Sequence, residues 1–186
     1  MKQSFDLLVA LLLLSTLLII MLLIAIAIRL TSKGPALYWS DRIGKNNKIF
    51  KMPKFRSMLI GTPGVATHLL SNPDCFLTSI GGFLRRSSLD ELPQLFSVLK
   101  GVMSLVGPRP ALFNQDDLIA FRIEKGVDKL LPGITGWAQV NGRDELSIHD
   151  KVLLDVEYMN RQSFWFDIKI LWMTLLRAIR RDGVSH

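Results

Sequence analysis

The feature that most constrains this chain is an apolar run close to its start. Residues 7–28 contain no charge, no proline and no glycine, and they are almost wholly Leu, Ile, Val, Ala and Met. As one helix with a rise of about 1.5 Å per residue, the run would be roughly 33 Å long, which is enough to cross the hydrocarbon layer. Because it passes directly into Arg29 and Lys33 without a convincing cleavage site, an uncleaved membrane anchor is favoured over a secretory signal peptide.

Charge and hydroxyl groups around this run bear on its topology. Basic residues crowd its C-terminal side, and the positive-inside rule places that side and the following body in the cytoplasm; they are Arg29, Lys33, Arg42, Lys45 and Lys48. Ser15 and Thr16 lie near the middle, where hydroxyls can bond back to carbonyls and bend a helix. The residues alone favour a straight span over a re-entrant hairpin, and both topologies stay open.

Composition narrows the chemistry. The net charge of +7 belongs to the part of the chain after residue 28, which suits an anionic surface, anionic substrates or both. A single Cys75 excludes an intramolecular disulfide, and three histidines give no Cys/His cluster spaced for zinc, so any metal should be held by oxygen. Nucleic-acid binding is disfavoured because no aromatic-basic module accompanies the basic charge.

The rest of the chain predicts a mixed α/β, helix-rich fold. Residues 34–58 predict a β-hairpin at the membrane surface, with a polar turn at Gly44–Asn47. Helices are predicted over 89–99, where Gly101 stops the pattern, and over 148–158 and 166–181. The last of these mixes aromatic, apolar and basic residues, which fits either an interfacial amphipathic helix or core packing with a solvated basic edge.

The remaining segments predict loops and a simple domain organisation. Residues 106–110 and 131–145 are dense in Gly and Pro and predict rigid loops, and 59–82 predicts loops with one brief helix bearing His68, a packing or surface residue, with Cys75 shortly after it. We expect residues 1–30 to form the membrane anchor, re-entrant or spanning. Residues 31–186 are then one membrane-associated catalytic domain, since the length allows one ordinary core.

The segment RRSSLDELPQL, residues 85–95, is the most informative for chemistry. Ser88 with Glu91 fits a capping box and Ser87 stands in the same relation to Asp90, so a helix is predicted to begin immediately before the acidic pair. Two adjacent carboxylates suit a site where one attacks phosphorus and the other binds a divalent metal, for which Mg²⁺ is the natural candidate. Such a site needs cations to neutralise the phosphate; the candidates are Arg85, Arg86, Arg109, Lys54 and Arg56.

Four motifs in order then make a family resemblance specific. KFRSM, SSLDELPQL, VLKGVMSLVGPRP and PGITGWAQVNGR resemble the signature of the bacterial sugar transferases called monotopic phosphoglycosyl transferases, and the match runs from about Thr31 to Asp182. The chain is similar to minimal members that have the catalytic core alone. The resemblance implies transfer of a phosphosugar from a UDP-sugar to undecaprenyl phosphate with release of UMP, at the bacterial inner membrane, at the start of glycan or polysaccharide assembly.

Site residues carried over from the family agree with those found from the residues. The resemblance implies Asp90 as nucleophile, Glu91 as its partner near Mg²⁺, and phosphate binding by Arg85 and Arg109. Weaker candidates for the substrate site follow from the basic motif and the PGITGWAQVNGR loop; they are Lys54, Arg56, Gln139, Asn141 and Arg143. The sugar and the glycan pathway stay open, and a homodimer is one of the oligomeric states left open.

Two departures from the family pattern stand out. The Ser-Pro pair that commonly breaks the family's anchor helix is Ser15-Thr16 here, although the resemblance itself favours the re-entrant form. Val102 stands where relatives usually have Asp, while the dyad is intact, so activity is still expected. The rival functions are a non-catalytic membrane scaffold with a basic face and a metal-dependent phosphohydrolase of similar substrates.

Overall fold

A computed structural model describes residues 2–63, 72–142 and 146–180. It is helix-rich, with two small two-stranded sheets in the described ranges. The α-helices are α1 Lys2–Thr31, α2 Gly81–Arg86, α3 Leu95–Leu99, α4 Asp116–Glu124, α5 Ile148–Arg161 and α6 Phe164–Arg180. The strands are β1 Leu37–Ile43, β2 Ile49–Phe55, β3 Ser104–Val106 and β4 Gly133–Thr135. The predicted fold class is confirmed, whereas His68 and Arg143 lie outside the described residues.

The predicted apolar helix is present as α1, which is long and apolar enough to cross a membrane. It runs without interruption through the hydroxyl pair, where Ser15 Oγ and Thr16 Oγ1 donate to the Leu12 carbonyl oxygen one turn back at 2.8 and 3.0 Å. One face of α1 is buried along its whole length, at Asp6, Ala10, Leu14, Met21, Ile24 and Ile28. Most of the other leucines and isoleucines are exposed, as expected of a surface that meets lipid.

Both ends of α1 contact the body of the protein. Near its start, Lys2 Nζ pairs with Asp167 Oδ2 on α6 at 2.6 Å, and the buried Asp6 carboxylate accepts a hydrogen bond from Ser104 Oγ on β3 at 2.7 Å. Just beyond its end, the Arg56 guanidinium donates to the Ser32 carbonyl and side-chain oxygens. The helix therefore lies along the body and shares its hydrophobic core.

The predicted hairpin is confirmed as the antiparallel pair of β1 and β2. Its register runs from Leu37 opposite Phe55 to Ile43 opposite Ile49. The connection is polar, as predicted, and Asn46 and Asn47 adopt positive φ angles of 55° and 58° there. Asparagine tolerates this left-handed conformation better than most side chains, so the turn chemistry matches the tight reversal.

The two Gly/Pro-rich segments were predicted only as loops, and that part of the prediction is incomplete. β3 and β4 pair in parallel, with Ser104 opposite Gly133 and Val106 opposite Thr135. The pairing depends on close backbone approach, because a Cβ atom built on Gly133 would lie 2.1 Å from the Gly107 nitrogen. Strands of three residues buried on both faces leave no alternating pattern for sequence reasoning to find.

The two predicted C-terminal helices are present with small shifts in their ends. α5 continues three residues beyond the predicted end, and α6 begins two residues earlier than predicted. Core packing of α6 is confirmed at Phe166 and Ile170, while Trp165 and Trp172 are 78% and 60% exposed, so the interfacial role stays a prediction. Aromatic side chains exposed beside basic residues are typical of a helix at a membrane surface.

Candidate active site

The acidic pair lies on the short 3₁₀ helix Leu89–Gln94, which follows α2 and continues into α3. The helix begins where predicted, but the predicted capping box is wrong. Ser88 has a left-handed φ of 55° and makes no side-chain cap hydrogen bond, and Ser87 Oγ donates instead to the Phe83 and Leu84 carbonyl oxygens of α2. A left-handed turn therefore separates α2 from the two carboxylates.

Glu91 is the ion-paired member of the dyad. Its Oε1 atom accepts hydrogen bonds from Lys54 Nζ at 3.1 Å and from Arg109 Nη2 at 2.8 Å. Lys54 reaches it from β2, which packs against the 3₁₀ helix, and Arg109 follows β3 between two prolines. Burial lowers the pKa of Lys54, and the Glu91 carboxylate opposes that shift. Two cations thus neutralise Glu91 from two different parts of the fold.

Asp90 has a different environment from Glu91. It is only 8% exposed, and in the part of the chain that the structure describes no side chain donates a hydrogen bond to its carboxylate. Burial raises the pKa of Asp90 to about 6; Lys54 acts to lower it and Glu91 to raise it further. Asp90 is therefore mainly ionised at neutral pH but more basic than an exposed aspartate, which suits an attacking carboxylate.

Two further arginines enlarge the positive charge around the dyad. Arg85, in the last turn of α2, lowers the pKa of Asp90 through its charge. Arg42, on β1, donates to the Pro110 carbonyl oxygen at 3.1 Å; burial lowers its pKa to about 10, as does Arg109 to a lesser extent. Sequence reasoning counted Arg42 only among the basic residues beside the membrane run, because its partner lies 68 residues away.

Sequence reasoning also missed Arg122, which positions Arg109. Its Nη1 donates to the Arg109 carbonyl oxygen at 2.7 Å, while Nε and Nη2 donate to Asp155 Oδ2 at 3.0 and 2.6 Å. Asp155 is 1% exposed, and burial raises its pKa against the opposing charge of Arg122. A buried pair between α4 and α5 thus fixes the backbone from which Arg109 reaches Glu91.

The other predicted substrate-site residues are placed differently. Arg56 is buried, and its guanidinium donates to the carbonyl oxygens of Ser32, Lys33 and Pro35, which closes the turn after α1. With the bond to the Ser32 side chain, these contacts use four of its five N–H donors.

The two candidates of the PGITGWAQVNGR loop within the described residues also differ in their positions. Gln139 borders a cavity beside the dyad, and its buried Oε1 accepts no hydrogen bond within the described residues. Asn141 is exposed and its Nδ2 donates to the Trp137 carbonyl oxygen at 2.7 Å, which stabilises the loop. The structure therefore brings Gln139 to the site and leaves Asn141 on the loop surface.

A magnesium ion fits this donor set when a phosphate supplies further oxygens. Among the described residues no group of three or more His, Cys, Asp or Glu side chains converges, so the protein offers the two carboxylates of the dyad. Mg²⁺ is usually held by one or two carboxylates together with substrate phosphates and water. Asp90 and Glu91 are the residues that would hold it.

Fold and site together define a protein with a helix long and apolar enough to cross a membrane, and with a buried carboxylate pair among cations on the body that packs along this helix. A family model described as bacterial sugar transferase matches residues 1–181. The chain belongs to this family.

Similar proteins of known name agree with this assignment. The chain is 45% identical over 189 residues to an undecaprenyl-phosphate glucose phosphotransferase of Komagataeibacter xylinus, covering 96% of this chain and 36% of the relative. It is 41% identical to a UDP-glucose:undecaprenyl-phosphate glucose-1-phosphate transferase of Escherichia coli K12, covering 96% of this chain and 40% of that one. An uncharacterised sugar transferase of Bacillus subtilis is 40% identical over all of this chain and 91% of its own length. The chain therefore spans little more than a third of the length of the first two relatives.

Proposed function

We propose that this protein transfers a sugar 1-phosphate from a UDP-sugar to undecaprenyl phosphate and releases UMP. The observation that carries the proposal is the contrast within the dyad, where Glu91 is neutralised by Lys54 and Arg109 while Asp90 is buried beside them. Relatives named as undecaprenyl-phosphate sugar phosphotransferases support the reaction class. Those names include glucose and galactose, and the sugar used by this chain is left to experiment.

The proposed reaction has two phosphoryl-transfer steps. An Asp90 carboxylate oxygen attacks the β-phosphorus of the donor, the bond from that phosphorus to the bridging oxygen breaks, and UMP leaves with that oxygen. The resulting acyl phosphate carries the sugar. A phosphate oxygen of the lipid acceptor then attacks the same phosphorus, the bond to Asp90 breaks, and the lipid diphosphate sugar is formed. The carboxylate is regenerated without net consumption of a proton or electron.

The side chains around Asp90 make the first attack feasible. A carboxylate repels an anionic phosphate unless cations neutralise the approach, and Arg85, Arg109 and Lys54 provide that charge within one site. Burial keeps Asp90 poorly solvated and therefore more reactive toward phosphorus. Mg²⁺, when bound at Asp90 and Glu91, would supply Lewis-acid stabilisation of the charge on the phosphate oxygens.

The proposed location is the cytoplasmic face of the bacterial inner membrane. The exposed apolar face of α1 and the exposed tryptophans of α6 provide surfaces for the lipid, and the dyad lies on the body that packs along α1. Undecaprenyl phosphate is held in the membrane by its chain, so its phosphate can meet Asp90 only if the site is close to headgroup depth.

The test is a detergent-solubilised assay with Mg²⁺, undecaprenyl phosphate and a panel of UDP-sugars, which follows UMP release. The native protein should release UMP with one donor, and omission of Mg²⁺ should abolish the signal. Asp90→Asn should reduce turnover by at least a thousandfold, while Asp41→Asn, an exposed aspartate on the hairpin, should react normally. Normal turnover by Asp90→Asn would show that Asp90 is not the nucleophile.

Product analysis separates the proposal from the two rival functions. A metal-dependent phosphohydrolase would release UMP and sugar phosphate equally well without the lipid, and would form no lipid-linked sugar. A non-catalytic scaffold would use no donor at all, and its biological activity would survive Asp90→Asn.

A further inference from the structure

A cavity of about 310 Å³ lies between α1, α6 and the dyad. Leu13 and Leu17 of α1 and Leu171 of α6 line it, as do Glu91 of the dyad and its partner Arg109. The α1 and α6 walls take no part in the proposed attack by Asp90. The chemistry of their side chains indicates which of the two proposed substrates fits the cavity.

The lining of the cavity combines charged side chains with apolar ones. Besides Glu91 and Arg109, the charged side chains that line it are Arg86 and Arg177, two cations that suit an anionic group. Among the residues that the structure describes, the Arg177 guanidinium has no hydrogen-bond or ion-pair partner. The rest of the lining is mainly Leu, Ile, Val and Ala, with Ser87, Ser88 and Gln139 as polar members. The hydroxyls of Thr135 and Thr174, which also line it, bond to each other at 2.7 Å.

The α1 wall also indicates from which side a ligand enters. Leu13 and Leu17 belong to the uncharged run of residues 7–28, and Leu18 beside them is 57% exposed on the apolar face of the same helix. A ligand passing this wall meets apolar surface, which favours a hydrocarbon chain and disfavours a nucleotide diphosphate. The volume is at the small end of ligand pockets, about 300–1,000 Å³, so only the first few isoprene units would fit.

We propose that this cavity is the acceptor site, in which the phosphate of the polyprenyl phosphate meets Arg177 and Arg86 and its first isoprene units lie between Leu17 of α1 and Leu171 of α6. This inference rests on the proposed function and adds to it the location of the lipid and a phosphate-binding role for Arg177. The UDP-sugar then reaches the dyad from another direction, which agrees with two transfers at one carboxylate.

The test uses two assays that separate the two transfers. Exchange of labelled UMP into the UDP-sugar without any lipid reports donor binding and attack by Asp90 alone. Formation of lipid diphosphate sugar at varied undecaprenyl phosphate concentration reports the acceptor. Because exchange requires a folded donor site, a variant that exchanges normally is also folded.

Matched variants probe the apolar wall. Leu17→Trp fills the cavity, whereas Leu18→Trp adds the same bulk to the exposed face one residue along. We expect Leu17→Trp to raise the KM for undecaprenyl phosphate by about tenfold or more and to leave UMP exchange within about twofold of the native rate. Leu18→Trp should leave both values unchanged.

A second pair probes the phosphate end without adding bulk. Arg177→Gln removes the cation at the cavity, and Lys169→Gln removes an exposed cation of the same helix that does not line it. Arg177→Gln should raise the acceptor KM by about tenfold, since a hydrogen bond to a charged group is lost, and should exchange UMP normally. Lys169→Gln should match the native protein.

Each other outcome overturns a defined part of the argument. If Leu17→Trp and Arg177→Gln both behave like their controls while exchange proceeds, the acceptor lies elsewhere and the proposed function stands. If they slow UMP exchange as much as lipid transfer, the cavity holds the donor and the inference is wrong. If the native protein does not exchange labelled UMP into any of the UDP-sugars, the proposed function fails and the acceptor site fails with it.

Discussion

Replacing Arg122 by Met gives the most direct test of how the fold positions the site. The native guanidinium satisfies Asp155 with two of its nitrogens and holds the Arg109 carbonyl oxygen with a third. Methionine fills similar space without charge, so the variant leaves the Asp155 carboxylate buried and unpaired on α5. The loop that carries Arg109 to Glu91 also loses its link to α4.

The expected loss can be worked out from this geometry. Removing one partner of a buried ion pair costs about 3–5 kcal/mol, because the remaining charge is left without compensation. For a chain of this size a loss of 1 kcal/mol lowers Tm by about 2–4 °C, so Arg122→Met should melt roughly 6–20 °C below the native protein in the same detergent. Turnover measured below the melting range should also fall, because the backbone that carries Arg109 is no longer held in place by the hydrogen bond from Arg122.

Two further measurements decide whether the ion pair is the cause. In the double variant Arg122→Met with Asp155→Leu no charge is left buried, and most of the lost Tm should return. Burial already raises the pKa of Asp155, and loss of Arg122 raises it further, so the folded variant binds a proton more tightly than its unfolded chain. Its stability should therefore improve as the pH falls from 8 to 5.5. This reasoning would be refuted if the double variant were no more stable than Arg122→Met and if the stability lost in Arg122→Met did not depend on pH.

Two other predictions concern the site cation and the strand pair. Lys54→Met should lower turnover roughly 10- to 100-fold through loss of its bond to the dyad, whereas Lys51→Met, which breaks an exposed hairpin pair, should change turnover less than twofold. Gly133→Ala should lower the free energy of unfolding by about 3 kcal/mol or more, because its Cβ would meet the Gly107 nitrogen at 2.1 Å. Gly101→Ala, with a φ of 72° but open space around it, should cost only about 1 kcal/mol, as thermal melting would show.

Local patterns in the sequence were enough to predict most of the elements. The apolar helix, the hairpin and α5 follow from an uncharged run, a polar turn and helical spacing, all of which are confirmed. The parallel pair of β3 and β4 was not predicted because each strand is only three residues long. α4 was also missed, since its weak amphipathic pattern gives little periodic signal between two loops.

In the candidate site, too, residues that belong to local motifs were predicted, and residues whose roles depend on distant contacts were missed. The dyad and its two ion-pair partners, Lys54 and Arg109, were found because each belongs to a short motif, Lys54 to the basic KFRSM stretch and Arg109 to VGPRP, where it stands between two prolines. Arg42 and Arg122 were missed because their roles depend on contacts with the backbone around Arg109, which no local pattern encodes. Arg56 was selected by its motif, yet its neighbours at the end of α1 use its donors.

The contacts at both ends of α1 lead to a last prediction, about how the helix lies in the membrane. A helix of 30 residues is about 45 Å long, more than the hydrocarbon layer of roughly 30 Å, so by length alone it could span. If it did, the contacts of Lys2 and Asp6 with the body would have to break, leaving buried partners such as Asp167 without a cation. We therefore expect both ends of α1 on the same side of the bilayer as the body.

Labelling of single cysteines measures this directly. Cys75 is exposed on the body and is the one cysteine of the chain, so it reports the side of the body, and Gln3→Cys in a Cys75→Ser background reports the start of α1. A membrane-impermeant maleimide should label both positions in inside-out vesicles and neither in intact spheroplasts. Labelling of Gln3→Cys from the opposite side to Cys75 would mean that α1 spans and that its contacts with α6 and β3 do not form in the membrane. In that case the α1 wall of the acceptor cavity would be lost as well, so the topology of this one helix also decides whether the proposed acceptor site can form.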